Sequence, residues 1–131
     1  MSWQYFNENP AGRSTDDCVV RAISIALDKS WDEVYTGLCL EGFILGNWGN
    51  GDEVWRRYLR RNGFRRHIIP DECPYDCMTV ERFANENPKG TYILSMPERH
   101  VVTVMDGVYF DSWDSGSEIP IYYFAKSKEE S

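Results

Sequence analysis

An α+β fold is predicted for this chain of 131 residues, on three observations. Helix-period apolar patterning dominates the first two thirds, beginning with a nearly all-apolar run over 16–27. From Thr91 the period changes from helical to extended and gives four β-rich runs with tight breaks. Asp106-Gly107 lies between two of them, and this dipeptide is the strongest short hairpin signal, because a type I′ turn needs positive φ at both positions. Helices first and strands after them describe an α+β domain with a C-terminal antiparallel sheet.

The lead, 1–15, carries aromatics and then Asn7-Glu8-Asn9-Pro10-Ala11-Gly12, a turn-rich approach to the first helix. That helix, 16–27, is apolar on nearly every face and belongs in the middle of the fold. Ser14 or Thr15 can cap it, Asp16 and Asp17 occupy its first turn, and Asp28-Lys29-Ser30 ends it. Ser30 and Glu33 form a capping box for a second helix to about Leu40, with Trp31, Val34, Tyr35 and Leu38 on one face. Glycine-rich 42–51, around Phe43, Ile44, Leu45 and Trp48, reads as a loop that borders a cleft or packs its own apolar side chains.

Asn50 or Asp52 starts a third helix that turns Val54, Trp55, Tyr58 and Leu59 inward and Arg56, Arg57, Arg60 and Arg61 outward, with Gly63 at its end. A short strand over 64–69, a loop over 70–77 and a short helix over 79–86, halted before Pro88, lead into the sheet. Its strands are 91–96, 100–105, 108–113 and 119–124, and 125–131 is a charged tail.

Length allows one domain, 1–131, with a single core. A formal charge of −7 argues against a nucleic-acid partner and suits a basic or neutral substrate. The run from Arg56-Arg57 to Arg65-Arg66 is read as the solvated face of a helix and its exit. No early stretch joins a basic end to an apolar run, and no apolar run is long enough for a bilayer, so a cytoplasmic location without a membrane partner is expected. Cys18, Cys39, Cys73 and Cys77 are then free thiols. With three residues between Cys73 and Cys77, and only His67 and His100 as histidines, no metal and no cofactor is expected.

Cys18 stands at the start of the apolar helix, where unpartnered amides and the positive end of the helix dipole favour a thiolate over a thiol. The hairpin supplies a base. A two-residue loop pairs Met105 with Val108, Val102 with Asp111 and His100 with Trp113, so His100, Asp111 and Trp113 share a face while Asp114 falls on the other. His100 and Asp111 are diagonal neighbours within reach of each other, beneath Trp113.

This order resembles the papain-like cysteine peptidases: a cysteine at the N-terminus of the central helix, a histidine on a later strand, and an asparagine or aspartate on the next. His100-Val101-Val102 and Asp111-Ser112-Trp113-Asp114 are similar to that family's histidine segment and its Asn-Ser-Trp-Gly motif. Asp17-Cys18-Val19-Val20-Arg21-Ala22-Ile23 also resembles the nucleophile segment of the ovarian-tumour-type deubiquitinases, a branch of the same superfamily.

The resemblance implies a minimal thiol hydrolase, with 82 residues from Cys18 to His100 (100 − 18). It would cleave a peptide, isopeptide or related amide bond in a peptide or protein substrate through Cys18, His100 and Asp111, with Trp113 shielding the His100–Asp111 bond. The family's glutamine before the cysteine is replaced by Gly12, which leaves Gln4, Asn7, Asn9 or backbone amides to complete an oxyanion hole. Arg21 can offset the two acidic neighbours of Cys18 through an i,i+4 pair with Asp17. An acyltransferase of the transglutaminase kind, or an inactive binding module on the same scaffold, are the alternative readings.

Overall fold

The computed structural model describes residues 3–5, 18–46, 52–69, 78–96, 100–111 and 114–126. In chain order they form β1 (Trp3–Tyr5), α1 (Cys18–Leu27), α2 (Trp31–Leu45), α3 (Asp52–Arg61), β2 (Phe64–Ile68), α4 (Val80–Glu86), β3 (Thr91–Ser95), β4 (Val101–Met105), β5 (Val108–Asp111) and β6 (Tyr122–Lys126). The arrangement is α+β, with the strands in one sheet ordered β1-β5-β4-β3-β6-β2. Among the described residues no helix is long and apolar enough to cross a membrane.

Both faces of the sheet are covered, which explains why β3 and β4 read as continuous apolar runs rather than alternating ones. Adjacent residues of a strand point to opposite faces. Ile93 and Val101 join Ile23, Val34, Leu38, Trp55, Leu59 and Phe124 in the cluster under α1, α2 and α3. Leu94 and Val102 join Val80, Phe83, Val104 and Tyr109 in the cluster under α4. Helix α1 is the most enclosed helix of the first layer: every residue from Cys18 to Ser24 is buried, Ile23 with no exposed surface. The Thr103 hydroxyl of β4 donates to the Ala22 carbonyl and ties the middle of α1 to the sheet.

Several predicted elements fall where the sequence placed them. Ser30 and Glu33 complete the capping box of α2 in both directions. Thr79 caps α4 through the Arg82 amide. The hairpin register is Met105 to Val108, Val104 to Tyr109 and Thr103 to Phe110, as the two-residue loop requires. Asp106 at φ 52° and Gly107 at φ 82° both lie in the left-handed region, and Asp106 is bonded to Gly90 through its carboxylate and its amide.

A Cβ at Gly107 would meet Pro88 and Ala84 only at ordinary contact distance. Gly107→Ala should therefore act through backbone conformation alone and destabilise by roughly 1–2 kcal/mol, the penalty for a side chain in this region. Urea denaturation measures it, and an unchanged midpoint would contradict a type I′ turn.

Other expectations need correction. The sheet is mixed rather than antiparallel, because Trp3–Tyr5, expected to be part of a turn-rich lead, pairs in parallel with β5. Strand β2, between two helices in sequence, also enters the sheet as the antiparallel neighbour of β6. Helix α2 runs to Leu45 instead of stopping near Leu40, so 42–45 are helical rather than loop, and the left-handed Gly46 at φ 73° ends it.

Tyr35, expected on the inner face of α2, is half-exposed and stacks on Trp31 at 5.1 Å. The last strand spans Tyr122–Lys126, later than 119–124, and takes Ala125 and Lys126 out of the expected tail. Arg57 and Arg61 are not simply solvated: both donate to Glu41, a buried carboxylate of α2, at 2.8–3.0 Å. Those guanidinium hydrogen bonds hold the Glu41 carboxyl below its ordinary range and fasten α3 to α2.

Candidate active site

Three elements converge at one end of the sheet. Helix α1 begins with Cys18, His100 immediately precedes β4, and Asp111 is the last residue of β5. His100 is positioned by its carbonyl, which accepts from the Met96 amide at 2.9 Å across the β3–β4 connection. Its Nε2 is 2.6 Å from Asp111 Oδ2. The His100 side chain is also hydrogen-bonded to Cys18. Since Nε2 is committed to Asp111, Nδ1 is the nitrogen left for the sulfur. The structure thus brings together all three residues that the sequence singled out.

Electrostatics favour a charged ring. Burial is the largest influence on His100 and works against the imidazolium, but hydrogen bonds with Asp111 and Cys18, with the charges behind them, outweigh it. The imidazole is pushed up from an ordinary 6.5 to about 10. Cys18 and Asp111 are themselves buried, at 8% and 3% exposure, so little water screens either interaction.

The carboxylate of Asp111 is held from a second side. Ser115 Oγ donates to the same Oδ2 at 2.8 Å. The indole of Trp3 donates to the Asp111 carbonyl at 3.2 Å and clamps the end of β5 to β1. Neither Ser115 nor Trp3 was singled out from the sequence: contact with Asp111 depends on a turn and a parallel strand pair that carry no local signal.

Asp114 serves elsewhere, although not by register: β5 ends at Asp111, so Asp114 lies beyond the strand rather than on its opposite face. Its Oδ1 accepts from the buried Tyr109 hydroxyl at 2.6 Å and from the Gly116 amide at 3.0 Å. These two bonds, the Tyr109 one first, hold the Asp114 carboxyl below its ordinary range, while burial and then Asp114 push the Tyr109 phenol up. Gly116 is required here, because a Cβ would collide with the Tyr109 hydroxyl.

Of the candidates for an oxyanion hole, Gln4 lies in β1 opposite Phe110. Parallel partners share a face, and Phe110 is paired with Thr103, whose side chain meets α1. Gln4 therefore occupies the α1 face of the sheet, one register position before Asp111, with its side chain exposed. Asn7, Asn9, Gly12, Ser14, Thr15, Asp16, Asp17, Cys73, Cys77 and Trp113 lie outside the described residues. Arg21, expected to pair with Asp17, is buried within α1.

Searches of family models, curated proteins and solved structures return no match to this chain.

Proposed function

We propose that the chain is a thiol hydrolase of the papain-like kind that cleaves a peptide, isopeptide or related amide bond. One observation carries the reading: a single imidazole joins a thiol at the start of the buried helix α1 to a buried carboxylate 2.6 Å away. In this reading His100 takes the Cys18 proton at Nδ1 and holds it as an imidazolium. The thiolate attacks the substrate carbonyl, and a tetrahedral intermediate forms with its oxyanion on the Cys18 amide and Gln4. His100 returns the proton to the leaving amine as the C–N bond breaks. Water, deprotonated by the same ring, then releases the acyl group from sulfur. Asp111 orients the ring and stabilises its charge without taking the proton, as the third member of such triads does.

The test is a competition between thiols. Cys39 is exposed and Cys18 is not, so accessibility alone predicts that Cys39 reacts first. Activation by His100 predicts the reverse. Iodoacetamide at mildly acidic pH should alkylate Cys18 ahead of Cys39, Cys73 and Cys77 in peptide maps, and His100→Ala should slow that reaction by roughly 10²-fold, the lower end of what a positioned acid or base contributes. Labelling of any other cysteine first would remove the assignment. Product analysis with an amide substrate, with and without an added amine, then separates hydrolysis from acyl transfer.

A further inference from the structure

At the edge of the sheet remote from β1 and β5, α3 and β2 enclose a pocket of about 360 Å³. Arg56, Arg57 and Arg60 reach it from the helix and Arg65 and Arg66 from the strand, with Glu53 as the only acidic residue in its lining among the described residues. This concentration of positive charge stands out in a chain whose formal charge is −7.

The arginines differ in how far they are already engaged. Arg57 donates to Glu41, a carboxylate that it shares with Arg61, so it is already engaged from outside the pocket. Arg56, Arg60, Arg65 and Arg66 have no carboxylate partner among the described residues. Arg56 Nε is buried and donates to no group among the described residues. The guanidinium groups of Arg56 and Arg66 lie 5.4 and 5.0 Å from the Tyr122 ring centroid, and Arg56 is also 5.6 Å from that of Trp55. Stacking on rings orients a guanidinium while leaving its N–H edges free for an anion.

We propose that this pocket binds the polyphosphate group of a small ligand. Four uncommitted arginines less Glu53 leave a net charge of +3 (4 − 1), which a lone carboxylate or sulfate would not balance and a chain of two or three phosphates would. An acidic peptide spreads its charges along an extended backbone, whereas linked phosphates concentrate them in a volume of this size. A long nucleic acid would also meet the acidic remainder of the molecule. Free inorganic polyphosphate and the tail of a nucleotide present the same chemistry to these arginines.

Calorimetric titration of the full chain with sodium tripolyphosphate at physiological ionic strength tests this. One saturable site is expected, at least tenfold tighter than for sulfate. Arg60→Gln and Arg65→Gln, both at exposed positions, should each weaken it by roughly tenfold, the scale of a lost charge-assisted hydrogen bond. Glu53→Gln should tighten it, while Arg82→Gln on α4 and Cys18→Ala at the candidate active site should leave it unchanged. A nucleoside triphosphate that competes no better than tripolyphosphate identifies the phosphates as the recognised group. Three results would overturn the proposal: binding no tighter than for sulfate, equal weakening by Arg82→Gln, or tighter binding of a hexaglutamate peptide. Circular dichroism on each variant separates a lost site from a lost fold.

Discussion

Asp111→Asn should lower turnover of an amide substrate by up to roughly 10⁴-fold, the loss that follows when the orienting carboxylate of such a triad becomes an amide, while leaving the chain folded. The amide keeps the shape of the carboxylate, so Ser115 retains an acceptor, but the negative charge facing His100 is gone. In the native protein His100 holds its proton up to about 10, so the imidazolium persists through neutral and mildly alkaline pH and disappears as pH rises through that value. Without Asp111 the alkaline edge of the activity profile should move down, toward the ordinary 6.5.

Stability follows the same sign. A histidine whose folded pKa is raised contributes stability that is fully present below 6.5 and is lost as pH climbs through about 10. Melting temperature should therefore fall across that interval in the native chain and fall less in Asp111→Asn. Asp114→Ala supplies the contrast: it releases Tyr109 rather than His100, so it should soften the fold slightly and keep activity within a few-fold. A pH profile that Asp111→Asn does not move would separate this aspartate from the chemistry.

Ile23→Ala should destabilise the chain by roughly 2–5 kcal/mol, as for other large aliphatic truncations in a core. Ile23 has no exposed surface and packs in the cluster that joins α1 to the sheet. Against a total stability of ~5–15 kcal/mol this is a large fraction, and the melting temperature should drop by on the order of 10 °C. Ile23 points away from Cys18, five residues earlier on the helix, so thiol reactivity per folded molecule should stay native at low temperature. A loss below ~1 kcal/mol by urea denaturation would mean that α1 is not the centre of the core.

Legibility in the sequence followed the range of each interaction. The all-apolar face of α1, the Ser30–Glu33 box and the Asp106-Gly107 turn are local codes, and each was read correctly. Because that turn fixes register over the following residues, it also carried the pairing of His100 with Asp111, eleven residues apart. Strand β1 escaped because three residues cannot display a period and its pairing is with residues more than a hundred positions away. Gly42 misled in the other direction. Glycine usually marks a break, yet here it is buried inside α2 and the helix continues past it to Gly46. Ser115 and Trp3 reach Asp111 only through tertiary placement, which no spacing encodes.

Strand β1 also bears on self-association. Without it β5, which ends in Asp111, would form the border of the sheet on that side and present a row of open N–H and C=O groups to any extended chain nearby. Exposed borders of this kind template unwanted pairing and aggregation. A partner of three residues, Trp3–Tyr5, covers those groups and is itself too short to recruit another strand of useful length. The strand that carries the carboxylate is in this way shielded from intermolecular pairing by one of the shortest elements in the fold.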